Sequence, residues 1–291
     1  MTISADTQIT DLTVNDHACL TFGETEELFD LTAAFVRDGL YGGLKVVWLS
    51  DATPDRAIAE LVRRGIAVDE ALASGQLAAV RYEGRLLAGQ VFSAGQATTW
   101  LAREMETAGH KGLRLAVDMS WALGPVTGVE QLPEFEEKVA AAVAGTAASV
   151  LCQYDRERFD PVTLASVAPF HTRSVAAATY HADVMLRICR QYAPPGIRLA
   201  GELDYQAAES LALALTEAIR LDGDVTVNMA PLAFIDVPCA RMILDAARGL
   251  NPTNTPPRRM ILRCRPGLAA RFVLLGAADI PAVRLVRVDD H

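Results

Sequence analysis

The chain has 291 residues, half of them apolar, and a net charge of -9. That length exceeds one ordinary core and suits two domains. The acidic balance excludes non-specific nucleic-acid or anionic-membrane binding, which needs a basic face.

The polar opening, MTISADTQITDLTVNDH, has no basic segment followed by an apolar run, so no signal peptide is expected. No stretch reaches the roughly 18 consecutive apolar residues of a membrane span. "ACLTF" reads as a short buried strand. "TEELFDLTAAFVRDGLYGG" has helical spacing, with Leu28, Leu31, Phe35 and Leu40 on one stripe and Gly39, Gly42 and Gly43 ending it. "KVVWLSD" is a buried strand, and "TPDRAIAELVRRGI" a helix opened by Thr53 as N-cap and Pro54 at its first position. "LAAVRY" is a strand, and "SAGQATTWLAREMETAGHKG" a helix with a glycine stop. "LRLAVDMSW" and "ASVLCQYD" are two more buried strands, with the helix "LPEFEEKVAAAVAG" between them. After "FDPVTLASVAPFH" the pattern loosens, and residues 174–183 read as a linker or a connecting helix. Continuous apolar strands separated by amphipathic helices predict a parallel sheet covered on both faces. Ligands in such sheets meet the carboxyl ends of the strands, which here carry Ser50 and Asp51, residues 118–121, and residues 153–155.

The second half restarts near Asp183. "VMLRICRQYAPPGIRLAGELD" predicts a hairpin-like strand pair turning at Pro194, Pro195 and Gly196. "YQAAESLALALTEAIR" predicts a helix capped by Asp204. A strand region "DVTVNMAPLAFID", a helix "PCARMILDAARGL" and a loop "NPTNTPPR" follow. "RRMILRCR" is a strand, "GLAARFVLLG" a short helix and "VRLVRV" the last strand. The fold class is therefore α/β in both halves.

A phosphate-binding first turn would carry a glycine-rich loop with lysine, which aims amides and a cation at phosphate. This chain has "FGETEELFD", where Gly23 precedes Glu24, Glu26, Glu27 and Asp30. Acids there satisfy the helix dipole themselves and repel a triphosphate. No tight ATP binding, and no cofactor, is expected.

No H-E-x-x-H, G-x-S-x-G or S-x-x-K pattern occurs. The cysteines, Cys19, Cys152, Cys189, Cys239 and Cys264, are odd in number and form no C-x-x-C. Neither a zinc ribbon nor a disulfide framework follows, and a reduced cytoplasmic chain is expected. His17 and Cys19 lie two apart on the first strand and so point to one face. With Cys152 and His171 they make an imaginable soft-metal set. The stronger reading is a small core cysteine and a hydrogen-bonded histidine, so no metal is expected. A small-molecule pocket using these groups with Trp121 and Tyr154 stays open beside it, because both rings offer apolar area with a polar tip.

"DHACLTF", "GLRLAVDMSWAL", "PEFEEKV", "LCQYDRERFDP" and "FHTRS" resemble, in order and spacing, the MEDS domain, the sensory domain of methanogen and methylotroph regulators. The resemblance covers residues 14–175 and sets a first domain at 1–178. It implies a RecA-like parallel sheet that has lost its phosphate loop, and sensing or protein contact in place of turnover. The sequence departs from the family pattern at Asp118, where glutamate is typical, and at Thr172, where proline often follows the histidine. His17, Cys19, Asp118, Trp121, Cys152, Tyr154 and His171 are the expected lining of a sensor crevice.

"IRLAGELDYQAAESL" and "VTVNMAPLAFIDVPCARMILDAARGL" resemble the STAS domain of anti-sigma-factor antagonists, over residues 184–291. In that family the strand-to-helix corner reads Asp-Ser-Ser-Gly or Asp-Ser/Thr-x-Gly, and its hydroxyl accepts phosphate from a partner kinase. Phosphate there adds about two negative charges to the docking surface. Here Asp236 remains, but Val237, Pro238 and Cys239 offer no acceptor hydroxyl. The expected docking residues are Asp204, Asp236, Val237, Pro238, Cys239 and Arg241. Thiols at helix N-termini can have lowered pKa, which would make Cys239 a redox switch, but packing is the stronger reading. The expectation is a non-enzymatic cytoplasmic signalling regulator that docks an anti-sigma factor or related kinase-fold regulator, without direct nucleic-acid or membrane contact. A homodimeric scaffold and a degenerate RecA-like ATPase with residual nucleotide binding are the competing readings.

Overall fold

The computed structural model describes residues 7–250 and 257–288. The start of the polar opening, and residues 251–256 of the expected loop, lie outside the described residues. The chain divides into two units, the first ending at Ala176 and the second beginning at Ala177.

In the first unit, β1 (His17–Phe22) passes through a two-residue turn into α1 (Thr25–Tyr41). β2 (Lys45–Ser50), α2 (Pro54–Arg63) and the short α3 (Asp69–Ala73) lead to β3 (Leu77–Arg81). A small hairpin of β4 (Leu87–Ala88) and β5 (Val91–Phe92) precedes α4 (Ala94–Glu106) and β6 (Leu113–Asp118). α5 (Leu132–Val143), β7 (Ala148–Asp155), α6 (Pro161–Val167) and β8 (Arg173–Val175) complete the unit. The six-stranded sheet has the order β3-β2-β6-β7-β1-β8, and every pairing in it is parallel. Helix starts follow the local chemistry. Thr53 accepts a bond from the Arg56 amide ahead of Pro54, and Asp160 accepts from Val162 and Thr163 ahead of α6.

Alternation along the strands sorts side chains between two covered faces. Toward α1, Gln153 Nε2 donates to Thr32 Oγ1 at 2.7 Å, and the Arg114 guanidinium donates to the carbonyls of Phe35 and Leu12 at 2.9 and 2.7 Å. The opposite face places Cys19, Val150, Cys152 and Tyr154 in one core with Leu101 of α4 and Phe135 and Val139 of α5. This second face holds the site described below.

Residues 174–183 are neither linker nor helix. β8 adds to the sheet beside β1, and the next strand opens the second unit. A three-residue strand is too short to show a periodic pattern, which is why the sequence there looks unstructured.

The second unit runs β9 (Thr179–Ala182), β10 (Leu186–Tyr192), β11 (Pro195–Leu203), α7 (Ala208–Leu221), β12 (Val225–Met229) and β13 (Leu232–Ile235). α8 (Val237–Arg248), β14 (Met260–Cys264), α9 (Pro266–Leu274) and β15 (Val283–Arg287) follow. The sheet order is β15-β14-β12-β11-β10-β9, with β13 also paired to β11. β9, β10 and β11 are antiparallel neighbours, and the other pairings are parallel. The hairpin turn is tighter than the sequence suggests, because Pro195 and Gly196 already pair with Tyr192 and Gln191. Gly196 is required there: at φ +150° a Cβ would overlap the Thr226 carbonyl oxygen. Alternate strand residues such as Ile197, Leu199, Val227 and Leu262 form one core with Leu211, Ile243 and Phe272 of the helices. Among the described residues no helix is long and apolar enough to cross a membrane.

Candidate functional site

The first unit gathers titratable groups in its core. β1 carries His17, β7 carries Cys152 and Tyr154 two positions apart on one face, and α5 lays Glu136 over them. The segment after α6 brings His171 against His17, with ring centroids 4.2 Å apart. The placement of His171 is set by Thr172, whose amide and hydroxyl donate to the His17 carbonyl at 2.7 and 3.0 Å and whose hydroxyl accepts from the His17 amide at 3.1 Å. A proline at 172 would lack that amide.

Glu136 is the hub. Its Oε2 lies 3.0 Å from His17 Nε2 and 3.4 Å from His171 Nε2, and accepts from the Cys152 thiol at 3.4 Å. Its Oε1 accepts from the Tyr154 hydroxyl. Cys152 Sγ is 3.5 Å from His17 Nε2. The His17 and His171 Nδ1 atoms face the carbonyls of Phe170 and Val167 at 3.0 and 3.1 Å. A carbonyl only accepts, so each Nδ1 carries the proton and each Nε2 is left to face Glu136. His17, His171 and Glu136 expose no more than 2% of their side chains. Burial alone would raise the Glu136 carboxyl, but the facing His17 and His171 rings hold it well below the usual carboxylate range. Burial, and then the Glu136 charge, push the Cys152 and Tyr154 protons the other way, well above their usual values. Cys19 is pushed up to about 12 by the same two causes. The ligand atoms of His17, Glu136, Cys152 and His171 all lie within 4.8 Å of one another, so these four, among the described residues, could hold a metal.

Of the residues expected to line a crevice, His17, Cys152, Tyr154 and His171 are therefore brought together, with Cys19 on the same face. Their side chains are packed in the core. Asp118 and Trp121 take other partners. Asp118 Oδ1 accepts from the Ser120 amide at 2.9 Å, and burial raises its carboxyl. The Trp121 ring packs 4.2 Å from that of Phe92. Phe159, edge-on to Tyr154 at 5.1 Å, walls a groove of about 340 Å³ with Leu132, Pro133 and Thr163. The sequence reading missed Glu136. The signal was present: Leu132, Glu136, Val139 and Val143 follow helical spacing, so an acid sits on the buried stripe, where it needs partners.

The β1–α1 turn consists of Gly23 and Glu24 alone. The Gly23 amide donates to Glu27 Oε2 at 3.2 Å, and Leu28 N–H donates to the Glu24 carbonyl at 3.1 Å. The Arg156 guanidinium lies over the turn, 2.5 Å from where a Gly23 Cβ would stand. The Gly23 amide is thus occupied by the chain itself.

In the second unit, Asp236 closes the corner between β13 and α8. Its Oδ1 accepts from the Cys239 amide at 2.8 Å, and its own amide donates to the Leu203 carbonyl at 3.1 Å. Asp204, next along from Leu203, accepts from the Gln206 amide at 2.9 Å. Val237 is 53% exposed, and Pro238 and Arg241 are also at the surface. Cys239 departs from the expected docking set, because its side chain is fully buried. Burial, then the adjacent Asp236, push its thiol up to about 12, opposite to the lowering that a redox switch needs. Ile235, Val237, Ala240, Leu268, Phe272 and Leu275 line an apolar hollow of about 200 Å³ at this corner. Leu274 on its rim is 86% exposed.

No curated protein matches the chain. Among solved structures, a KaiC-like protein from the hyperthermophilic archaeon Pyrococcus horikoshii OT3 is similar at a TM-score of 0.47 and 13% identity, over 61% of this chain and 79% of that one. The flagellar accessory protein FlaH from Methanocaldococcus jannaschii is similar at a TM-score of 0.45 and 10% identity, over 64% of this chain and 83% of that one. Residues 16–172, which hold His17, Glu136, Cys152, Tyr154 and His171, match the family described as the methanogen/methylotroph DcmR sensory domain, MEDS. That match spans more than half of the sequence, and the chain belongs to the MEDS family.

Proposed function

We propose that the chain is a signalling regulator, in which the MEDS unit receives a signal and the second unit docks a regulatory protein through the corner between β13 and α8. The observation that carries this reading is the corner itself. Asp236 keeps the helix start in shape, Val237 and Pro238 stand exposed, and an apolar hollow lies beside them. Exposed apolar residues around a preformed hollow are the anchors that protein interfaces use. By the resemblance to STAS domains, the partner is an anti-sigma factor or another regulator of kinase fold. Without a hydroxyl at residues 236–239, docking is constitutive at this surface, and control belongs to the MEDS unit. The groove walled by Leu132 and Phe159 is the sensing surface that unit offers, one ring away from the buried cluster. The self-occupied turn at Gly23 supports a regulator without nucleotide turnover.

Affinity capture with the full chain tests the reading. Wild type recovers a kinase-fold regulator from its source cells, and Val237→Asp, which puts a charge on the hollow's edge, does not. Equal recovery by the two chains, or recovery of the chain's own copies alone, refutes it and favours the scaffold.

A further inference from the structure

We propose that His17, Glu136, Cys152 and His171 hold a tetrahedral divalent transition-metal ion, and that zinc is the ion that fits. Donor-atom separations of 3.4, 3.4 and 3.5 Å support it, with His17 Nε2 and Glu136 Oε2 closer at 3.0 Å and all four atoms within 4.8 Å of one another. Ligands at about 2.0 to 2.3 Å from a tetrahedral zinc stand roughly 3.3 to 3.8 Å from one another. The donor set is two imidazole nitrogens, one sulfur and one carboxylate oxygen. That mixture suits a borderline-soft ion, whereas magnesium and calcium take oxygen shells.

The orientation of the histidines is the second observation. Both Nδ1–H groups are tied to backbone carbonyls, which turns both Nε2 atoms onto one carboxylate oxygen. His171 Nε2 is buried there without a hydrogen-bond partner. A ring nitrogen that faces a carboxylate needs a cation between them, either its own proton or a metal ion. Imidazoles held this way by their other nitrogen are the pattern seen around protein-bound metals. The Tyr154 hydroxyl, bonded to Glu136 Oε1, orients the carboxylate in the same manner. Charge also balances: a divalent ion with one thiolate, one carboxylate and two neutral imidazoles is neutral overall, which a buried site requires. On binding, the metal–sulfur bond replaces the Cys152 S–H bond, the metal–nitrogen bonds replace any Nε2–H bonds, and the protons released leave to solvent. With four protein ligands no position is open for substrate, so the ion ties β1, β7, α5 and the segment after α6 together and performs no chemistry.

The test is cobalt titration of the full chain after chelation and dialysis, with zinc as competitor. One equivalent of Co²⁺ gives tetrahedral visible bands and a thiolate-to-cobalt charge-transfer band, and Zn²⁺ displaces it. Cys152→Ser loses the charge-transfer band, and Cys19→Ser keeps it. His171→Gln, at the end of a surface segment, weakens binding at least about tenfold. Tyr154→Phe weakens it about 10- to 100-fold while keeping the spectrum. Circular dichroism identifies any variant that fails to fold, and the remaining variants then carry the comparison. The absence of a stoichiometric band in wild type, its persistence in folded Cys152→Ser, or its loss in folded Cys19→Ser overturns the proposal.

Discussion

Replacing Tyr154 by phenylalanine removes a single oxygen from the centre of the MEDS unit. The ring is fully buried and packs edge-on against Phe159, so its apolar contacts survive the change. What is lost is the bond to Glu136 Oε1, and that oxygen is buried with no route to water. A hydrogen bond to a charged group contributes about 1.5–3 kcal/mol, and most of that is lost here because the acceptor stays buried. The readout is amide hydrogen exchange along β7 in the full chain, which isolates this unit from the second one. A loss of that size speeds exchange roughly 10- to 150-fold where opening is global to the unit. In a Glu136→Gln background the same substitution costs about 1 kcal/mol, because an amide oxygen is a weaker acceptor than a carboxylate. A change below about twofold in the wild-type background would mean that the hydroxyl does not hold Glu136, and the hub geometry would be wrong.

Further expectations concern other parts of the chain. Asp236→Ala removes the cap of α8 and lowers stability of the second unit by about 1 kcal/mol, read by urea denaturation. Gly196→Ala cannot be accommodated beside the Thr226 carbonyl, and the variant is expected to be insoluble or to lose the β11–β12 pairing. Cys239, with its thiol at about 12, is thiolate to roughly one part in ten thousand at pH 8. It gains reactivity only as pH rises toward that value, so alkylation of the native chain at pH 8 followed by peptide mass analysis should leave it unmodified. Calorimetric titration with Mg-ATP should give no heat of binding, whereas micromolar affinity would revive the ATPase reading.

Much of this architecture is legible in the sequence, for physical reasons that differ by segment. Buried parallel strands such as "VVWL" and "VLC" are continuously apolar because both faces are covered, and the chain shows this directly. Thr53-Pro54, Asp160-Pro161 and Asp236-Val237-Pro238 announce helix starts, since the cap and the proline act locally. Pairing partners are less visible. β8 and β9 are short edge elements whose register is set by β1 and β10, and nothing in residues 173–182 alone encodes it. The buried cluster was half legible. His17 and Cys19 share a face by strand alternation, and the family resemblance gathers Cys152, Tyr154 and His171. Glu136 could be found only by noticing an acid in phase with Leu132, Val139 and Val143. Cys239 was expected both among the docking residues and as packing, and its buried side chain fits the packing reading, because position in a motif says nothing about which way the first helical turn faces the core.

The most direct measurement on the regulator reading is to incubate the full chain with the kinase-fold regulator that this reading proposes and Mg-ATP, and to follow both peptide mass and complex formation. The account predicts an unmodified peptide over residues 236–239 and a complex that survives ATP. Phosphate on that peptide, or dissociation driven by ATP, would contradict it.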